Sequence, residues 1–109
     1  MQVKERRIIM LQLLNGKIPF ESWYDRLDPL LQRAIDARLT RLAVGNFGDH
    51  KSVGAGVFEL RIPKGPGLRV YYGLKSQELV ILIGGGDKGS QKRDIDRAIE
   101  LWRNWSDER

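Results

Sequence analysis

Apolar positions along this chain recur in two periods. From Phe20 to Leu42 they follow a helical spacing, and from Val57 to Ile83 they alternate as in strands. Before that, Val3 to Leu14 mixes apolar and charged residues and runs into Asn15-Gly16, which accepts positive φ at little cost. A strand and a turn are predicted there. Pro19 suits the first turn of a helix that carries Phe20, Trp23, Tyr24 and Leu27. Asp28-Pro29 reads as an N-cap and first-turn proline for a second helix with Leu31, Ala34, Ile35, Leu39 and Leu42 on one stripe. Gly45 is placed to end it. The polar, glycine-rich stretch from Asn46 to Gly56 is predicted as a loop.

Three strands follow, Val57 to Ile62, Leu68 to Leu74 and Leu79 to Ile83, with connections short enough for hairpins. Alternation puts Phe58, Leu60 and Ile62 on one face of the first. Leu68, Val70, Tyr72 and Leu74 share a face of the second, and Leu79, Ile81 and Ile83 a face of the third. All three faces are expected to pack on the helices. Gly84-Gly85-Gly86 is expected to break the third strand. Ser90 is the candidate cap of a last helix bearing Ile95, Ala98, Ile99, Trp102 and Trp105. The tryptophans at helical spacing belong to the core in this reading. The fold class is α+β: an N-terminal strand, a two-helix hairpin, an antiparallel three-strand meander and a C-terminal helix. At 109 residues this is one domain, 1–109.

Charge alters the picture. Nineteen Lys and Arg against fourteen Asp and Glu leave a net charge of +5, which favours anionic partners such as nucleic acid. The absence of cysteine excludes disulfides, thiolate zinc sites and a cysteine nucleophile. With a single histidine, no metal site is visible. The longest apolar run, Ile8 to Leu14, is interrupted by Gln12 and is too short to span a bilayer. Arg6-Arg7 precede it, yet no small-residue cleavage site follows, so a cytoplasmic protein without a membrane partner is expected.

The five-residue connection from Pro63 to Gly67 sets a register. If Ile62 faces Leu68, Arg61 falls opposite Arg69 and Glu59 opposite Tyr71. Like charges directly across a ladder are mildly destabilising unless an anion lies between them. Two guanidinium groups suit a phosphate. Equally, they are a solvated face paired to Glu59. The next hairpin brings Arg69 towards Gly84, with Asp87, Lys88, Lys92 and Arg93 following, so a basic pocket can form where the sheet meets the last helix. Lys92 and Arg93 sit in that helix's first turn, where cations oppose the dipole. His50 and Lys51 lie in the predicted loop, and histidine is the side chain suited to acid–base work near neutral pH.

Several segments together are similar to one family. Asn46-Phe47-Gly48-Asp49, Val53-Gly54-Ala55-Gly56-Val57 and Glu59-Leu60-Arg61-Ile62 resemble the phage-type addiction module killer proteins, HigB-like toxins of the RelE/ParE superfamily. So do Gly65-Pro66-Gly67-Leu68-Arg69-Val70-Tyr71-Tyr72, Gly84 through Gln91, Asp94-Ile95 and Ala98. The resemblance implies a RelE-like fold and the toxin component of a type II toxin–antitoxin system. The implied activity is that of a metal-independent, ribosome-associated mRNA endoribonuclease without a cofactor, inhibited by a helix-turn-helix antitoxin from an adjacent gene. The ParE branch implies the alternative, a non-enzymatic inhibitor of DNA gyrase. By position, Arg61, Arg69 and Lys88 carry the catalytic expectation. His50 is added as the residue with a convenient titration range, although that position varies in the family. Lys51, Tyr71, Lys92 and Arg93 carry the RNA-binding expectation. Many relatives have a serine before the proline of the first helix; here it is Ile18.

Overall fold

The computed structural model describes residues 5–107. The elements are β1 (Arg7–Met10), α1 (Pro19–Tyr24), α2 (Pro29–Ala43), β2 (His50–Gly54), β3 (Val57–Ile62), β4 (Leu68–Lys75), β5 (Leu79–Gly86), a short 3₁₀ turn (Lys88–Ser90) and α3 (Gln91–Asp107). They form an α+β fold around one five-stranded mixed sheet in the order β1-β5-β4-β3-β2. β1 runs parallel to β5, and the other neighbours are antiparallel.

Local chemistry accounts for the first half. Asp28 Oδ1 accepts from the Leu30 and Leu31 amides at 3.0 and 3.1 Å, so the cap and Pro29 start α2 together. Ile18 precedes α1 with no side-chain cap. β1 is shorter than the predicted Val3–Leu14 strand, of which Val3 lies outside the described residues. After Met10 the chain leaves the ladder into a turn in which Leu13 N–H donates to the Lys17 carbonyl and Gly16 takes φ +87°.

The stretch from Asn46 to Gly56 departs from its loop expectation. His50–Gly54 forms the edge strand β2, with His50 opposite Leu60, Lys51 opposite Glu59 and Ser52 opposite Phe58. Ala55 and Gly56 both have positive φ, the conformation of a tight hairpin turn whose twist matches the flanking strands. An edge strand with little buried surface needs no apolar alternation, so the polar pattern concealed it.

Both faces of the sheet are covered. Phe20 of α1 and Ile35 and Leu42 of α2 pack on Leu60, Ile62, Leu68, Val70, Tyr72, Val80 and Leu82. On the other face, Leu11 and Ala98 of α3 pack with Val57, Tyr71, Ile81 and Ile83. Leu79, Ile81 and Ile83 therefore belong to the α3 layer, not to the layer of Leu60 and Val70. The three do share one face and pack on a helix, as alternation predicts, and because β5 is buried on both faces its other side serves the opposite layer. α3 seats its indole closely: a Cβ at Gly73 would come within 2.6 Å of Trp102, which stacks on Trp105 at 5.5 Å between ring centroids.

β5 does not break at its glycines but pairs through Gly86. A bulge displaces Ile83, so that Tyr72 faces Leu82 while Tyr71 faces Gly84. Arg69 consequently pairs with Gly86 rather than lying beside Gly84. The bulge also changes which glycine looks where. A Cβ at Gly85 would strike Trp23 of α1 at 2.2 Å, and one at Gly86 would strike the Asp94 carboxylate of α3, whereas at Gly84 it would meet nothing within 4 Å. Ser90 is not the backbone cap expected. Asp87 caps the 3₁₀ turn that leads into α3, accepting from the Gly89 amide at 2.8 Å, and the Ser90 hydroxyl donates instead to Asp94.

Candidate functional site

The predicted register of β3 and β4 holds: Arg61 stands opposite Arg69, and Glu59 opposite Tyr71. The arginines share the α3 face of the sheet with Glu59. Its carboxylate is fully buried and gathers the surrounding donors. Arg61 Nε donates to Oε1 at 3.0 Å. The Tyr71 hydroxyl donates to Oε2 at 3.1 Å and Gln91 Nε2 to the same oxygen at 2.9 Å. Arg69 Nε stands 3.6 Å from Oε2, an ion pair beyond hydrogen-bond length, while its Nη1 donates to the Gly67 carbonyl at 3.0 Å. One buried anion thus lies between two cations, and the cluster keeps a positive excess. That excess reaches solvent chiefly through Arg61, whose side chain is 37% exposed against 12% for Arg69.

Burial by itself would raise the pKa of Glu59. The hydrogen bonds from Gln91, Arg61 and Tyr71 and the charge of Arg69 outweigh it and hold the carboxyl below its ordinary value. Tyr71 moves the opposite way, first through burial and then through the neighbouring Glu59 charge. Tyr71, expected to bind RNA, is 1% exposed and spends its hydroxyl on Glu59. It positions Glu59.

A third cation braces the site from the opposite face. Arg38 of α2 is buried with carbonyls for partners: Nη1 donates to Arg61 O at 2.6 Å and Nη2 to Phe47 O at 3.0 Å. It ties the backbone under Arg61 to the loop entering β2. Gly48 has φ +63°, and a Cβ there would lie 2.6 Å from Arg38 Nη2. Burial lowers the Arg38 pKa, but a guanidinium keeps its charge in proteins.

The other expected residues divide. Lys51 lies directly across from Glu59 and so shares the arginine face. Lys88 borders the same glycine as Arg69: a Cβ at Gly67 would stand 3.4 Å from Lys88 Cβ and 3.5 Å from Arg69 Nη1. Lys92 and Arg93 are exposed in the first turn of α3, with Lys92 Nζ 3.2 Å from Asp96. His50 is not brought to the group. It pairs with Leu60 on the opposite face, and its ring packs on Phe47 at 5.0 Å with Nδ1 3.0 Å from the Gly48 carbonyl. Sequence reasoning missed Gln91 altogether and weighed Glu59 only as a partner in a solvated face. Cross-strand register could have marked Glu59, an acid flanked by two arginines with tyrosine opposite. Nothing local ties Gln91 to it. Among the described residues, no three His, Cys, Asp or Glu side chains converge as a metal site, and no helix is long and apolar enough to cross a membrane.

No protein-family model matches the chain. A protein of Haemophilus influenzae (strain ATCC 51907 / DSM 11121 / KW20 / Rd), described as an uncharacterized protein, is 51% identical over 86 residues. The match covers 78% of this chain and 87% of that one.

Proposed function

This chain belongs to the same family as the Haemophilus influenzae protein, whose description carries no activity, and we propose from its own site that it is a toxin of RelE-like fold that cleaves messenger RNA. The observation that carries this reading is the opposed pair Arg61 and Arg69 sharing one buried carboxylate, with Lys51 and Lys88 beside them. Guanidinium groups held in fixed orientation suit a phosphate, and their net positive excess favours the added charge of a pentacovalent transition state.

The reaction is an internal transesterification. The 2′-oxygen attacks the adjacent phosphorus, the bond from phosphorus to the 5′-oxygen breaks, and the products are a 2′,3′-cyclic phosphate and a 5′-hydroxyl. Arg61 and Arg69 hold the non-bridging oxygens. We assign protonation of the leaving oxygen to the Lys88 ammonium, since Lys88 borders the same glycine as Arg69. Glu59 is the carboxylate nearest the arginines, yet its bonds and its burial keep it from a 2′-hydroxyl, so it positions the arginines and takes no proton. The proton of the 2′-hydroxyl leaves to a group of the ribosome, which also aligns the messenger, while the Lys51 ammonium adds to the positive charge facing the phosphate. A helix-turn-helix antitoxin from the adjacent gene would silence the protein by placing an acidic segment over Arg61 and Arg69.

The test is expression of the chain alone, with primer-extension mapping of messenger ends and plasmid supercoiling followed in the same culture. Growth arrest with discrete messenger cuts is the expected result. Early loss of supercoiling with intact messenger would overturn the reading and favour gyrase inhibition.

A further inference from the structure

Beside the arginine cluster lies a cleft of about 260 Å³ between α1, β5 and α3. Lys17 from the turn before α1, Arg26 just after α1, and Arg97 of α3 converge on it, and all three are exposed. Among the described residues, none of these cations has a carboxylate partner. The acid on the cleft, Asp94, is engaged by Ser90. Three segments thus bring like charges to one hollow, which favours an anion there.

The floor of the cleft is open by construction. The bulge at Ile83 turns Gly84 to the α3 face, where a Cβ would meet nothing within 4 Å. Any larger residue would occupy that space. The half-buried indole of Trp23, resting on Gly85, forms part of the wall. The volume falls just under the roughly 300–1,000 Å³ of sites that enclose a whole small ligand. It suits one unit of a longer molecule. Gly84 pairs with Tyr71, two residues along β4 from Arg69, so the cleft begins about 6.6 Å along the strand from the arginines. That is the reach of one nucleotide step.

We propose that this cleft is the subsite for the ribonucleotide adjoining the phosphate held at Arg61 and Arg69, with Lys17, Arg26 and Arg97 on its own phosphate and its base beside Trp23 over Gly84. The identity of the strand as messenger rests on the ribonuclease reading; the cleft's preference for a nucleotide rests on its own walls.

The probe is a 2′-O-methyl tetraribonucleotide, which cannot be cleaved, titrated into the isotopically labelled protein by NMR. The expected result is movement of the Gly84 amide and the Trp23 indole N–H. Gly84→Val, which fills the floor with a strand-forming side chain, and the pair Arg26→Ala with Arg97→Ala on the surface should each weaken binding by about tenfold or more. Arg61→Ala should leave the cleft signals moving. Unchanged affinity in both cleft variants, or no binding, overturns the subsite, and messenger cleavage would then leave the ribonuclease reading standing. Inorganic phosphate moving the same signals at the same concentration also overturns it, because no nucleotide would be recognised. Movement of the cleft signals in a protein that cuts no messenger supports the subsite and removes the ribonuclease reading.

Discussion

Arg61 and Arg69 face each other across two antiparallel strands, and the buried Glu59 carboxylate carries them both. Their like charges are therefore tied to one anion instead of opposing each other. Arg61→Ala and Arg69→Ala should each remove most messenger cleavage, a loss of about 2–4 kcal/mol of transition-state stabilisation. The double variant should lose less than the sum, since both act on one phosphate. Neither substitution should raise stability, because each removes a partner from a buried carboxylate. Circular dichroism and primer extension on the three variants check this. Folded single variants that cut at the wild-type rate would refute the site.

Glu59 links the site to acid stability. Its folded pKa is lowered, so the unfolded chain binds its proton more readily. Its contribution is fully present above the unfolded value of about 4.3 and is lost as pH falls through the lower folded value. Glu59→Gln should be less stable at neutral pH and should lose less on acidification. Melting temperatures of both proteins from pH 7 to pH 3 test it. Parallel curves would show that Glu59 does not supply the slope.

Lys51 and His50 are adjacent in sequence and lie on opposite faces of β2. Lys51→Ala should reduce cleavage, because it removes a cation from the arginine face. His50→Ala should leave cleavage within about twofold of wild type, since a lone surface substitution away from the site changes little. Cleavage rates on one messenger decide the matter, and the reverse order would place the chemistry on the other face.

Two neighbouring glycines should respond differently. Gly85→Ala drives a Cβ into the Trp23 ring and should cost about 1–3 kcal/mol through overpacking. Gly84→Ala meets open space and should be neutral or slightly stabilising, because glycine weakens a strand. Denaturant midpoints distinguish them.

Tyr72 offers a test in the opposite core layer. Among the described residues its buried hydroxyl has no hydrogen-bond partner, and burial, opposed by the charges of Arg6 and Arg38, pushes its pKa up to about 12. Tyr72→Phe removes an unsatisfied polar group and should raise stability by about 1 kcal/mol. A fall of similar size in urea titrations would mean that the hydroxyl is satisfied in solution.

The sequence alone determined the features that depend on neighbours in the chain. The Asp28-Pro29 start of α2, the β3–β4 register and the opposition of Arg61 and Arg69 follow from capping chemistry, turn length and alternation, all acting over a few residues. Tertiary structure decided what depends on distant surfaces. β1 joins β5 in parallel, a pairing that no turn specifies. β2 forms because β3 presents an edge to it, not because its own pattern demands a strand. The bulge at Ile83 decides that Gly85 lies under Trp23 while Gly84 opens into the cleft. Gln91 reaches Glu59 only because α3 docks across the sheet. Short-range geometry is written in the order of residues, whereas the face a residue finally occupies is settled when two buried layers compete for the same strand.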